Sequence, residues 1–137
     1  MEHGTLGEII LFAGYFAPRD WAFCHGQIMS ISQNQSLFAI LGTMYGGDGR
    51  STFGLPDLRG RAPIGAGRGP GLPQVLEGQR KGRDKVYFST PKDRAVKPVN
   101  DKKKVAVSTI TPSSVGRSPY QGINYIICIH GLFPSRS

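Results

Sequence analysis

Ile123-Asn124-Tyr125-Ile126-Ile127-Cys128-Ile129-His130-Gly131-Leu132-Phe133 is the stretch on which the fold of this chain turns. Its apolar residues run almost without a break, where a strand with one face in water would alternate apolar and polar. It reads as a strand buried on both faces, the strongest strand candidate in the sequence. A weak echo, Cys24-His25-Gly26 against Cys128-Ile129-His130-Gly131, fits two similar and adjacent strands but is too short to be a repeat.

Outward from that segment, Gly7 to Ala17 (GEIILFAGYFA) mixes apolar and β-favouring residues and stops at Pro18, as a strand ended by a turn does. Trp21 to Cys24 predicts a second strand, followed by a tight turn at Gly26 and an extended exit through Met29. Between Ser32 and Gly42 a Ser that can cap, the helical spacing of Leu37, Ile40, Leu41 and Met44, and a terminating Gly predict one short helix. From Tyr45 to Leu72 glycines and prolines are too frequent for any element longer than a few residues, which predicts an ordered irregular loop. Lys85 to Thr90 and Val105 to Ile110 alternate as short strands would, on either side of the lysine-rich Pro91 to Lys104.

Composition supports this outline. Gly (19) and Pro (10) exceed a fifth of the 137 residues, and hydrophobic residues are only 39%. The length fits one domain with an appendage. The expected class is α+β and β-rich: short strands and one short helix with long Gly/Pro-rich ordered loops. So thin a core is expected to be completed by packing on copies of the chain or on neighbours. The net charge of +8 is one-sided: residues 1–75 hold five Arg and five acids, while residues 76–137 hold twelve basic and four acidic residues. Two cysteines do not make a disulfide framework, which points to a reducing compartment. The apolar run Ile9 to Ala13 is too short for a signal-peptide core or a membrane span, so synthesis in the cytoplasm without a signal peptide is expected.

A longer series of motifs carries a family resemblance: Gly7-Glu8-Ile9, Phe16-Ala17-Pro18, Trp21-Ala22-Phe23-Cys24, Gly26-Gln27, Ile31-Ser32-Gln33-Asn34 and Leu41-Gly42-Thr43. It continues through Tyr45-Gly46-Gly47-Asp48-Gly49, Leu55-Pro56-Asp57-Leu58-Arg59-Gly60-Arg61, Pro63-Ile64-Gly65 and Gly69-Pro70-Gly71-Leu72, and the ending Asn124 to Cys128 with Phe133-Pro134-Ser135-Arg136 fits too. The chain resembles the phage tail-collar domain of the microcystin-dependent-protein-like family. The resemblance implies parts of tail fibres and baseplates of phages and contractile particles, trimeric assembly, and attachment in place of catalysis. It also implies three stretches: a collar domain over 1–76, a basic divergent connector with short strands over 77–118, and a C-terminal strand over 119–137 returning to the collar core. Relatives carry a Met-Pro-Ala-His-x-His motif after the collar, and paired histidines there can hold a metal. The corresponding Val86 to Ala95 contains no histidine, so no metal and no cofactor are expected.

Candidate chemistry is sparse. Cys24 and His25 are neighbours on an expected strand and project to opposite faces. Cys128 and His130 share a face, yet the same alternation keeps all four from converging as a Cys2His2 zinc site. Gly65 to Gly71 lacks the Lys-Ser or Lys-Thr of a phosphate loop. No isolated carboxylate or pocketed histidine offers itself for acid–base work, and an enzyme is not expected. Asp48 with Arg50, and Asp57 with Arg59 and Arg61, set carboxylates beside guanidinium groups, as pairs that clasp irregular loops do. The basic residues Arg80, Lys81, Arg83, Lys85, Lys102, Lys103 and Lys104 form a stretch suited to an acidic partner surface. Only Tyr87 and Phe88 interleave with it, too few aromatics for specific nucleic-acid binding. The expected role is a structural subunit of a phage tail or contractile injection particle, a homo-oligomer in contact with tail or baseplate subunits. The alternative is a receptor-binding fibre tip that recognises a cell-surface glycan or protein.

Overall fold

The computed structural model describes residues 4–82 and 118–136. The elements run β1 (Ile9–Phe12), β2 (Trp21–Phe23), β3 (Ile28–Ser30), α1 (Gln35–Leu41), β4 (Thr52–Gly54) and β5 (Asn124–Cys128). All of them fall in one compact unit, Met1–Arg80 with Gly122–Ser137. The strands expected at Lys85 to Thr90 and Val105 to Ile110 lie outside the described residues.

β5 is the centre of a three-stranded antiparallel sheet of order β1-β5-β2. Ile9 pairs with Ile127 and Ile10 with Ile126, while Trp21 pairs with Cys128 and Ala22 with Ile127. Ile126, Ile127 and Cys128 are 1%, 0% and 0% exposed. Successive strand residues face opposite ways, so both faces of this strand are dry. The backbone explains the placement. Cys128 N–H donates to Glu8 O at 2.9 Å on one side, and Cys24 N–H donates to Tyr125 O at 3.0 Å on the other. The two cysteine-bearing segments are therefore neighbours, with both thiols free.

The second sheet is the antiparallel pair β3 and β4, with Met29 opposite Phe53. Its strand β4 lies within the expected irregular loop, because three residues are enough to pair. Gly47 makes this possible: its φ is +88°, and a Cβ there would run into the Cα of Phe53.

Between the sheets and α1 lies the core: Leu6, Cys24, Leu37, Leu41, Phe53, Leu55 and Ile127. Leu37 and Leu41 are one helical turn apart and point the same way. Phe38 packs on Phe53 with ring centroids 5.5 Å apart. The helix starts later than expected. Its N-cap is Asn34, not Ser32, and Asn34 makes no side-chain cap bond because its Nδ2 donates backward to Ser30 O at 3.0 Å. It ends at Gly42, whose φ is 53° and whose N–H donates to Phe38 O at 2.8 Å. Met44, beyond that stop, is 41% exposed and does not share the helical face.

Ile127→Ala removes a fully buried side chain from the central strand and is expected to lower the unfolding free energy by about 2–5 kcal/mol in urea titration. Its cross-strand partner Ile9 is 39% exposed, so Ile9→Ala is expected to cost clearly less. Equal losses would contradict the central position of β5.

Candidate functional site

Two carboxylates organise the loops around β4. Asp48 sits in a glycine-rich turn, where Gly49 has φ +75°. Its Oδ1 accepts the backbone N–H groups of Arg50 (2.8 Å), Ser51 (2.9 Å) and Thr52 (2.9 Å), and its Oδ2 accepts Ser51 Oγ at 3.1 Å. The amides of Thr52, Arg50 and Ser51 hold the Asp48 carboxyl well below the usual carboxylate range. Arg50 takes part through its backbone. Its guanidinium has no hydrogen bond or ion pair among the described residues.

Asp57 lies where the segment after β4 runs back along the segment after β2. Leu55 N–H donates to Gln27 O, Gly26 N–H to Pro56 O, and Leu58 N–H to Cys24 O, all within 3.1 Å. The Asp57 side chain is 17% exposed and accepts Arg59 in a fork, Nε to Oδ1 and Nη2 to Oδ2, both at 2.9 Å. That fork is the main reason its carboxyl is held below the ordinary range. A second cation comes from far along the chain: Arg80 Nη1 is 3.8 Å from Oδ2. Arg61 does not reach Asp57 and instead closes a turn, its N–H on Leu58 O at 3.1 Å. Lys81 is exposed. Arg83, Lys85, Lys102, Lys103 and Lys104 lie outside the described residues.

Beside this pair is a cleft of about 320 Å³, walled by Cys24, His25, Leu58, Arg59, Asn124 and Tyr125 among others. Its thiol is not poised as a nucleophile. Burial pushes Cys24 up to about 11, and burial also raises Cys128, with the nearby charge of Glu8 adding to the effect. His25 turns away from the core and stacks on Phe23, centroids 5.0 Å apart and planes 11° from parallel. Cys128 Sγ donates to His130 O at 3.3 Å, and His130 Nδ1 lies 3.7 Å from Asp20 Oδ1. Among the described residues no three His, Cys, Asp or Glu side chains gather as metal ligands would. No helix among them is long and apolar enough to cross a membrane.

The prominent surface feature is apolar, and the sequence reading did not single it out. Leu11 (57%), Tyr15 (91%), Phe16 (56%), Ile64 (71%) and Leu132 (63%) are exposed. Phe12, Phe16 and Tyr15 form a chain of edge-to-face rings with centroids 6.0 and 5.4 Å apart. Of these exposed residues, Tyr15 and Phe16 adjoin Phe12, and such a ring cluster suits contact with another chain. The signal present in the sequence was the uncharged run from Ile9 to Pro18.

Comparison with known proteins bears on about half of the chain. Residues 7–63 match the family model of the phage tail collar domain. The short tail fiber protein gp12 of Enterobacteria phage T4 is 43% identical over 68 residues, which are 49% of this chain and 13% of that protein. The chain thus corresponds to a small part of its relative.

Because the folded pKa of Asp48 is depressed, its contribution to stability is complete above the unfolded carboxylate pKa of about 4 and is lost as pH falls toward the folded value. Asp48→Asn is expected to lower the melting temperature at pH 7 and to flatten its decline on acidification. Melting curves that stay parallel to wild type from pH 7 to 2 would refute this. A thiol-reactive dye at pH 8 is expected to leave Cys24 and Cys128 unlabelled in the native protein and to label both in denaturant.

Proposed function

We propose that this chain, whose residues 7–63 match the phage tail collar domain, is a structural subunit of a phage tail or phage-tail-like contractile particle, in its collar, fibre or baseplate. The observation that carries this reading is the exposed apolar surface, led by Leu11, Tyr15 and Phe16, on a match to a tail-fibre segment. Such a surface is costly in water and is covered when the chain packs on copies of itself or on neighbouring tail subunits. The resemblance to fibre parts implies three copies.

In this role Asp48 with the amides of residues 50–52, and Asp57 with Arg59 and Arg80, clasp the loops in the shape that packing requires. Arg50 and Arg61 leave their guanidinium groups outward for a neighbour. The basic residues from Arg80 and Lys81 onward, with Arg83, Lys85, Lys102, Lys103 and Lys104, dock an acidic partner surface. The work is assembly, with no turnover, and the protein acts inside the particle after synthesis in the cytoplasm.

Particles assembled without this chain are expected to lack a discrete density in electron microscopy, and the purified chain to retain tail subunits in a salt-sensitive manner. If the isolated protein binds intact target cells and particles form normally without it, the reading gives way to receptor recognition.

A further inference from the structure

Asp48-Gly49 is the single Asp-Gly step in the chain, and no Asn-Gly step occurs. Such a step carries a built-in reaction. The Gly49 nitrogen can attack the side-chain carbonyl carbon of Asp48, because a glycine has no side chain to bar the approach. A C–N bond forms, and one carboxyl oxygen leaves as water with its own proton and the amide proton. Solvent water then opens the five-membered imide ring at either carbonyl. One opening restores aspartate. The other leaves isoaspartate, with the main chain routed through the side chain and the mass unchanged.

The reaction has three requirements, and the turn denies each. The carboxyl must be protonated to lose an oxygen as water, yet it accepts three amide N–H groups that favour its charged form. The Gly49 nitrogen must give up its proton, yet its N–H donates to Thr52 O at 2.9 Å. The carboxyl carbon must swing onto that nitrogen, yet both oxygens are held, Oδ1 by the amides of residues 50–52 and Oδ2 by Ser51 Oγ at 3.1 Å. The holding groups are themselves fixed. Thr52 pairs with Ser30 across the second sheet, and its Oγ1 accepts Asp48 N–H at 3.2 Å. Asp48 is exposed, so its restraint comes from these bonds and not from burial.

We propose that Asp48-Gly49 is an isoaspartate-forming site that the native clasp switches off, so that reaction is confined to chains in which this turn is open. The inference goes beyond the assembly reading and stands without it. The product cannot return to the native turn. Isoaspartate adds one carbon to the main chain and presents its carboxylate from a different atom, so the three amides lose the acceptor that gathered them. β4 begins at Thr52, one of those three, and its pairing with β3 is weakened as well. Modification and native turn therefore exclude each other, and isoaspartate at position 48 records the time a chain has spent with the turn undone.

The test incubates the full chain at neutral pH, either folded or unfolded in guanidinium. Isoaspartate at position 48 is then quantified by peptide mapping with fragmentation that separates the two isomers. The folded protein is expected to react at least about tenfold more slowly than the unfolded chain. Ser51→Ala removes the partner of Oδ2 and keeps all three amides, and is expected to raise the folded rate about threefold. Ile127→Ala weakens the core and leaves the turn's own bonds in place. While both thiols of that variant stay unlabelled, its rate at position 48 is expected to match wild type. Equal rates in folded and unfolded wild type overturn the proposal, as does an unfolded chain that forms no isoaspartate at this position. If Ser51→Ala leaves the folded rate unchanged, or Ile127→Ala raises it as much as Ser51→Ala does, the clasp is not what holds the reaction off.

Discussion

The structure depends on one strand arriving between two others. β1 and β2 share no ladder; among the described strands each pairs with β5, which enters from the far end of the chain. Ile127 then sits among Leu37, Phe53 and Leu55, so the same residue completes the sheet and the core beneath it. Contacts near the ends of the strand reinforce the closure. Leu6 N–H donates to Leu132 O at 2.8 Å, Leu132 N–H to Gly4 O at 2.9 Å, and Asn124 Nδ2 to Gly14 O at 3.0 Å. The family match at residues 7–63 holds β1 to β4 and α1 but not β5. In this chain the matched segment is therefore an open half that the C-terminal strand fills.

Around that frame the irregular loops are held by carboxylates more than by packing. The arginine groups at Asp57 are about 60% exposed, and exposed ion pairs add little energy by themselves. Their effect is geometric. Asp48 gathers three consecutive amides that would otherwise be left to water, and Asp57 anchors the return of the chain along Cys24 to Gln27. In the assembly role proposed above, loops already held in one shape lower the cost of packing.

Much of the scaffold was legible in the sequence because its signals are long or chemically sharp. The unbroken apolar run at β5 told of two buried faces, and Leu37, Leu41 and Gly42 marked the helix and its end. Less was legible where a choice is made by tertiary contacts. Ser32 and Asn34 are both good caps, and only the pull of Ser30 O on the Asn34 side chain separates them. A three-residue strand such as β4 is too short for a pattern and exists because Met29 and Asp48 hold its two sides. Of the expected acid pairs, Asp57 with Arg59 is formed, while Asp48 takes other donors than the Arg50 guanidinium. Adjacent guanidinium groups were the visible candidates for Asp48, while the actual donors are backbone amides that every residue possesses. Arg80 is too distant in sequence for its approach to Asp57 to be read from spacing.

The central position of β5 also sets the order in which the protein can form. Asn124 and Gly14, bonded to each other, stand 110 positions apart, so the sheet has high contact order and its middle strand is the last to leave the ribosome. Until then β1 and β2 flank a strand-wide gap. The entropy of closing so long a loop grows only with the logarithm of its length, about 0.6 kcal/mol for each doubling. The sequence between the open half and the closing strand can thus lengthen or shorten at little cost to the sheet, which makes this fold a frame able to carry very different insertions.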